Sequence, residues 1–302
     1  MGFKDDGCES KLRIVPLAFD SYGVRGMATY VKTPDCQLVL DPGAALAPSR
    51  FGLPPAPQER LALKKALARI KRYSKRADVM TISHYHYDHY LPDTNIYGGK
   101  KLYIKHPTEH INKSQMDRAK KFLRFLDRQS NKPSEIKFAD AIKVRYGRTR
   151  IEFSPAVKHG GLKSKLGYVI MCAIQHNRQS LVHASDVQGP QTDKATDWII
   201  SKNPKILILS GFPILFLGWK MSKRDLEKSN LNLIRIIKKT RVETIILEHH
   251  ITRKLNYTRM IEQVLRCGDE FDCRIITAAE FAGKKPMFLE PHRKEFWEEI
   301  KR

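Results

Sequence analysis

Short apolar runs separated by turn residues dominate the first third of the chain. Such runs lie at 12–17, 27–31 and 37–40, and the third ends at Asp41-Pro42-Gly43. Apolar runs bounded by Gly, Pro or Asp are typical of β-strands. A fourth run at 79–82 predicts a short buried strand directly before a histidine-rich segment.

Three segments show the period of an α-helix. The first follows a proline-rich loop at 54–57 and carries an apolar stripe between residues 63 and 73. The second is predicted to begin at Ser222, because an aspartate three residues later completes a capping box. The third carries apolar residues at 261–265 and is predicted to end at Gly268, since glycine favours the position after a helix.

Strands and helices alternate in both halves of the chain. Further strands are predicted at 101–105, 151–153, 167–173, 180–184, 206–209 and 244–247. This alternation predicts an α/β fold with two sheets inside and helices outside. We expect residues 1–302 to form a single domain, because no repeat or long linker divides them.

Charge is the unusual feature of the composition. The chain has 55 basic and 32 acidic residues, a formal net charge of +23. Such an excess favours anionic partners, either nucleic acids or phosphorylated small molecules. A lysine-rich solvated surface is the alternative explanation, and the composition does not decide between the two.

Cysteine usage and apolar stretches indicate the cellular compartment. The five cysteines are scattered and contain no CxxC pair, which argues against a disulfide framework and a thiolate metal site. Residues 1–6 lack the apolar core of a signal peptide, and the stretch 211–219 is too short to span a bilayer. We therefore expect a cytoplasmic protein without a membrane anchor.

Four potential metal ligands lie within six residues, at His84, His86, Asp88 and His89. In an extended segment, alternate residues point the same way, so His84 and His86 can bind one ion together. Asp88 and His89 can then turn toward a second ion. Imidazole and carboxylate donors without thiolate suit Zn²⁺, which we favour, and also Fe or Mn.

The histidine motif and four further blocks resemble the metallo-β-lactamase-fold superfamily. The motif Ser-His-Tyr-His-Tyr-Asp-His at 83–89 is similar to that of an archaeal branch of this superfamily. The other blocks, in the family's order, are Asp-Pro-Gly at 41–43, Ser-Pro-Ala-Val-Lys-His-Gly at 154–160, His-Ala-Ser-Asp at 183–186 and Glu-His-His at 248–250. The resemblance covers nearly the whole chain. It implies a four-layer αββα sandwich and a two-metal hydrolase.

The resemblance also implies roles for single residues outside the histidine motif. His159 would be the third histidine of the first ion, and Asp186 would bridge both ions. One of His249 and His250 would bind the second ion, and the sequence does not choose between them. Asp41 would support the metal loop by hydrogen bonding rather than bind metal.

Two ions held in this way would activate a water for attack on a carbonyl carbon or a phosphorus. Asp88 and Asp186 are the predicted catalytic carboxylates, and ester, lactone or phosphodiester bonds are the expected targets. Activity should fall in acid, because the ligands must be unprotonated. Lys158 and His106 are candidate contacts for an anionic substrate, with a solvated lysine and a loop histidine as alternatives. We assign His183 to the core.

Two other functions stay open. A nuclease of the same superfamily would explain the net charge and the basic pairs at 71–72 and 75–76. Against it, the segment between Asp186 and His249 is too short for an inserted nucleic-acid-clamping domain. A nucleic-acid-binding protein with a structural metal is the other alternative, although a closed tetrahedral site needs fewer ligands than this chain offers.

Overall fold

The computed structural model describes residues 12–302, and its first sheet has six strands. In spatial as well as chain order they are β1 (Arg13–Ala18), β2 (Ala28–Lys32), β3 (Gln37–Leu40), β4 (Val79–Ile82), β5 (Lys101–Ile104) and β6 (Glu135–Phe138). The pairs β1–β2 and β2–β3 are antiparallel, and the strands from β3 to β6 are parallel.

The second half of the chain forms a two-stranded ribbon and a seven-stranded sheet. Its strands are β7 (Lys143–Tyr146), β8 (Thr149–Phe153), β9 (Val157–Lys158), β10 (Tyr168–Val169), β11 (Cys172–His176), β12 (Gln179–Ser185), β13 (Ile206–Ser210), β14 (Thr244–Glu248) and β15 (Arg274–Ile276). The ribbon pairs β9 with β10, and the large sheet has the order β15-β14-β13-β12-β11-β8-β7. Strands β12 to β15 are parallel.

Eight helices accompany these strands within residues 12–302. They are α1 (Pro57–Ser74), α2 (Lys113–Arg128), α3 (Asp193–Lys202), α4 (Lys223–Lys239), α5 (Tyr257–Met260), α6 (Glu262–Glu270), α7 (Ala278–Phe281) and α8 (Arg293–Lys301). Single 3₁₀ turns lie at Asn95–Tyr97, Ile214–Phe216, His249–Arg253 and Glu290–His292. No helix within residues 12–302 combines the length and the apolar character needed to cross a membrane.

Three hydrophobic clusters define four layers. The inner cluster joins side chains of both sheets, such as Leu38 and Ile208. An outer cluster packs α1 and α2 on the first sheet, with Ile70 and Phe122 against its strands. The other outer cluster packs α3, α4 and α6 on the second sheet. The predicted αββα sandwich is therefore the observed architecture.

The capping box predicted at Ser222 starts α4. The Ser222 hydroxyl accepts from the backbone N–H of Asp225 at 3.2 Å, and the Asp225 carboxylate accepts from the N–H of Ser222 at 2.8 Å. These two bonds satisfy backbone donors that the first helical turn leaves unpaired.

Two predicted boundaries are wrong. The segment 167–173 is two strands, β10 and β11, because the chain leaves the ribbon at Ile170, whose N–H donates to the Ser83 carbonyl at 3.1 Å. Helix α6 continues past Gly268 to Glu270. A Cβ at Gly268 would lie 2.7 Å from the Cys273 carbonyl oxygen, so this glycine permits close packing and does not end the helix.

The four described cysteines are buried free thiols, at positions 36, 172, 267 and 273. Cys8 and residues 1–6, on which the signal-peptide argument rests, lie outside the described residues.

A buried ion pair fastens α8 to α1. The Arg293 guanidinium is fully buried and donates twice to the Glu59 carboxylate at 2.7 Å. Glu59 also accepts from the N–H of Ala56 at the start of α1. Removal of either group would leave the other as an unpaired buried charge, which strongly destabilises the folded state.

We expect Glu59→Ala to lower the free energy of unfolding by about 3–5 kcal/mol, because it leaves Arg293 buried and unpaired. Urea denaturation measures the change. The double variant Glu59→Ala/Arg293→Met should recover part of the loss. Asp117→Ala, which breaks an exposed pair with Lys113, is the control and should change little. Equal losses in both single variants would contradict this role of the buried pair.

Candidate metal centre

The candidate ligands meet where strands from both sheets end. Asp41 follows β3, the loop 83–89 follows β4, Asp186 follows β12 and His249 follows β14. His159 follows the ribbon strand β9. The carboxyl ends of neighbouring parallel strands share one edge of a sheet, and this explains how distant segments converge.

The first cluster consists of His84, His86, His159 and Asp186. Nδ1 of His86 lies 3.1 Å from Nε2 of His84 and 3.1 Å from Nε2 of His159. Nε2 of His159 lies 3.0 Å from Oδ2 of Asp186. The four donor atoms, three imidazole nitrogens and one carboxylate oxygen, are thus close enough together to bind one cation.

The second cluster consists of Asp88, His89 and His249, and Asp186 borders it as well. Nε2 of His249 lies 3.4 Å from Oδ2 of Asp88 and 3.8 Å from Oδ2 of Asp186. Nε2 of His89 lies 3.9 Å from the same Asp186 oxygen. Asp186 therefore stands between the two clusters, in the position of a bridging ligand.

The protonation states of His84, His86 and Asp186 fit cation binding. Burial and the neighbouring imidazoles lower the pKa of His86 to about 3 and that of His84 well below its usual value. Burial opposes ionisation of Asp186, but the imidazoles of His159 and His250 hold its pKa well below the usual range. Neutral imidazoles and ionised carboxylates are the forms that bind metals.

A buried ring nitrogen without a hydrogen-bond partner also supports cation binding at these clusters. Nε2 of His89 is buried and has no hydrogen-bond partner within residues 12–302. Buried polar atoms almost always have a partner, so this nitrogen calls for a ligand. The donors around it are imidazoles and carboxylates, a set that suits two divalent cations.

Asp41 holds the metal loop from behind. Its Oδ2 accepts from Nδ1 of His89 at 2.9 Å and from the Ser185 hydroxyl at 2.6 Å, and its Oδ1 accepts from the N–H of Ser83 at 2.8 Å. Because Nδ1 of His89 makes this hydrogen bond, Nε2 is the ring nitrogen whose lone pair can bind a cation. A Cβ at Gly43 would lie 2.5 Å from the His89 nitrogen, so only glycine lets the Asp41 turn pack against this loop.

Three of the ten non-glycine residues with positive φ in the described part of the chain lie beside the clusters. Asp41, Ser185 and His249 have φ of +46°, +51° and +62°, in the left-handed region that non-glycine residues seldom adopt. Such conformations cost about 1–3 kcal/mol each and persist where the surrounding structure fixes them. All three residues lie at or directly after the end of a strand, so the positive φ redirects the chain beside the clusters.

Hydrogen bonding distinguishes His249 from His250. Nδ1 of His249 lies 2.7 Å from Oδ2 of Asp20, a carboxylate that accepts, so Nε2 offers its lone pair to the second cluster. Nδ1 of His250 lies 2.9 Å from Arg253, whose guanidinium can only donate. With its proton on Nε2, His250 donates to Oδ2 of Asp186 at 3.1 Å. The geometry favours His249 as the ligand.

Asp20 and Arg253 are residues of this site that were not predicted from the sequence. Arg253 donates to Oδ1 of Asp20 at 2.9 Å and lies beside both histidine rings. Burial and Arg253 oppose a charge on His249, but Asp20 and Asp88 raise its pKa to about 9. At neutral pH a cation would therefore have to displace the proton on Nε2 before it could use the lone pair. A signal for Asp20 was present, because it follows the apolar run of β1 as Asp41 follows that of β3.

Three other predicted residues lie outside the clusters. Nζ of Lys158 lies 4.4 Å from the centre of the Tyr168 ring. Nδ1 of His106 accepts from the N–H of Glu109 at 3.0 Å, as a loop histidine does. His106 belongs to none of the metal-binding clusters, while Lys158 directly precedes the candidate ligand His159. A contact of either residue with substrate stays a prediction. His183 is buried, with Nε2 3.0 Å from the Met27 carbonyl, and lies in the core as expected.

We expect His249→Ala to bind one metal ion fewer per chain and His250→Ala to retain the full number. His249 offers a lone pair to the second cluster, whereas His250 offers a proton. Elemental analysis of the purified variants measures this. His110→Ala, an exposed histidine, is the matched control. Loss of metal in His250→Ala with none in His249→Ala would reverse the assignment.

Asp41→Asn should weaken metal binding about 10–100-fold, because the amide no longer fixes the tautomer of His89 as the carboxylate does. A competition titration with a chelator of known affinity measures it. Unchanged affinity would show that Asp41 has no part in orienting the loop.

Archaeal proteins are similar to this chain along almost its whole length. No family model matches the chain. A UPF0282 protein of Methanopyrus kandleri is 39% identical over 297 residues, covering 94% of this chain and 98% of that protein. A UPF0282 protein of Pyrococcus horikoshii is 42% identical over 297 residues, covering 94% and 92%.

Solved structures share the fold at low identity. The metallo-β-lactamase fold protein YhfI of Bacillus subtilis superposes with a TM-score of 0.52 at 13% identity, covering 92% of this chain and 99% of that one. Unliganded yeast PDE1 gives 0.53 at 13%, covering 87% and 96%. The diiron β-hydroxylase CmlA of Streptomyces venezuelae gives 0.50 at 10%, covering 90% and 53%. The chain therefore has the metallo-β-lactamase fold and belongs to the archaeal UPF0282 protein family.

Proposed function

We propose that this protein is a metal-dependent hydrolase that uses two divalent cations to cleave ester, lactone or phosphodiester bonds. The observation that carries the proposal is the pair of buried clusters that share Asp186. Two ligand sets with one common carboxylate suit a two-metal hydrolytic centre better than a closed structural site.

Each cluster supplies a complete ligand set. His84, His86, His159 and Asp186 would hold the first ion, and Asp88, His89, His249 and Asp186 would hold the second. Neither set contains a thiolate. We favour Zn²⁺, with Fe or Mn as alternatives, because all three accept imidazole and carboxylate ligands.

When bound, the cations would supply Lewis acidity and lower the pKa of water toward neutrality. The side chains around them have separate tasks. Asp88 is 20% exposed at its side chain, against 3% for Asp186, so Asp88 is the carboxylate that can orient a water entering from solvent. His250 fixes Asp186 by donating from Nε2.

The surroundings favour an anionic or ester small molecule as substrate. Tyr87, within the metal loop, is 48% exposed, and the Arg118 guanidinium lies 4.8 Å from the centre of its ring. A net charge of +23 favours the approach of anions from solution. We place the activity in the cytoplasm, where the buried thiols would stay reduced.

Nucleic acid cleavage is the second candidate, favoured by the net charge. The segment between Asp186 and His249 forms α3, β13, the turn Ile214–Phe216, α4 and β14, which belong to the sandwich itself. A nuclease reaction would therefore lack an inserted clamping domain. A nucleic-acid-binding role with a structural metal is less well supported, since two overlapping ligand sets exceed the needs of one closed site.

A panel of chromogenic substrates tests the proposal. We expect the metal-loaded protein to hydrolyse at least one of a phosphodiester, a lactone and a thioester. Asp186→Ala should reduce the rate to that of the metal-free protein, because both ligand sets lose their common member. His110→Ala should keep the full rate. An unaltered rate in metal-free protein would rule out the proposed chemistry.

Salt dependence separates the two candidates. If structured RNA is the sole substrate and moderate salt abolishes its cleavage, the nuclease function is correct, because phosphate contacts make binding steeply salt-dependent. Hydrolysis of small substrates that is insensitive to salt would support the leading proposal.

A further inference from the structure

We propose a second binding site, for a small molecule that carries two or more phosphate groups, in a cleft beside the first sheet. The cleft has a volume of about 610 Å³ and lies between the end of α1, the loop 93–98 and the residues just before β5. Pockets for small molecules typically measure about 300–1,000 Å³. The cleft can therefore hold a nucleotide-sized ligand.

The cleft and the metal clusters lie at opposite ends of the same strands. α1 ends at Ser74, shortly before β4 begins, and Lys100 directly precedes β5. His84 follows the other end of β4. Strands of this length span roughly 10 Å, so the two sites do not share side chains.

The lining of the cleft is strongly cationic. Lys71, Lys75 and Lys100 line it, and Asp93 is the only carboxylate among its lining residues. None of these lysines forms a salt bridge with any residue that the structure describes. Lys71 and Lys75 are one helical turn apart and share a face of α1.

Buried hydroxyls provide an independent indication. Ser74 lines the cleft and is 1% exposed, yet its Oγ has no hydrogen-bond partner within residues 12–302. Oγ1 of Thr94, another lining residue, is buried and unpaired in the same way. Buried polar atoms without partners are rare in folded proteins. Both oxygens lie just beneath the wall of the cleft, where solvent does not reach them, so each would donate to a phosphate oxygen only after its side chain rotates.

The cleft also gives a use to basic residues that the proposed hydrolase leaves unexplained. The basic pairs at 71–72 and 75–76 each contain a lysine and an arginine, and the lysines and arginines lie in different surroundings. Lys71 and Lys75 line the cleft. The guanidinium carbons of Arg72 and Arg76 lie 5.2 and 5.5 Å from the centre of the Tyr73 ring. The cleft, rather than an extended nucleic-acid surface, therefore accounts for the lysines of these pairs.

Calorimetric titration of the metal-loaded protein with inorganic triphosphate and with ATP tests the site. We expect both to bind, and the triple variant Lys71→Gln/Lys75→Gln/Lys100→Gln to weaken binding about tenfold or more, since charge-assisted hydrogen bonds are lost. Ser74→Ala should weaken it to a smaller extent. The matched control, Lys239→Gln/Lys285→Gln/Lys301→Gln, removes the same charge from exposed positions elsewhere and should bind like the wild type.

His84→Ala separates this site from the metal centre. Binding that persists in His84→Ala supports the cleft, even if the variant is inactive in every hydrolysis assay. Binding that disappears in His84→Ala would place the ligand at the metal centre and overturn the proposal. Equal weakening in both lysine variants, no binding of either probe, or binding of an RNA oligonucleotide alone would overturn it too.

Discussion

The burial of two carboxylates and several imidazoles in one small volume is the constraint on which the rest of the structure depends. Three of the five proposed histidine ligands have a hydrogen-bond partner on their outer side, whereas Nδ1 of His159 is buried without one within residues 12–302. Nδ1 of His84 contacts the Ser83 hydroxyl at 2.9 Å, Nδ1 of His89 contacts Asp41, and Nδ1 of His249 contacts Asp20. These partners direct the other nitrogen of each ring inward. Loss of any one partner would change the direction of a lone pair rather than merely remove a contact.

The fold meets this constraint by ending strands of two sheets at one edge. Asp20 and Asp41 come from the first sheet, while Asp186 and His249 come from the second. The inner hydrophobic cluster holds the sheets together and so sets the distance between these ends. The positive φ of His249 then turns its ring toward the residues of the β4 loop. The positions of the candidate metal-binding side chains therefore depend on the packing between the two sheets, away from the metal centre itself.

Local patterns were sufficient to predict the layers and the histidine loop, since strand β3, strand β4 and the capping box of α4 are each encoded within a few residues. The choice between His249 and His250 was beyond sequence reasoning, because it depends on Asp20, 229 residues earlier in the chain. Helix α2 was missed although its N-cap, Asn112, accepts from the N–H of Gln115. Most residues of α2 are polar, so the apolar stripe that contains Phe122 is not apparent in the sequence.

Charge balance connects the metal centre with the basic surface. Two divalent cations would bring four positive charges. Asp88, Asp186, Asp20 and Asp41 bring four negative charges, so the single positive charge of the nearby Arg253 would remain. A loaded centre would therefore be almost neutral, and it would attract anions only weakly over distance. The net charge of +23 consequently lies outside the centre, on surfaces such as the lysine-lined cleft. Under both proposals, the long-range attraction of an anion would depend on those surfaces, and the centre itself would contribute mainly at contact.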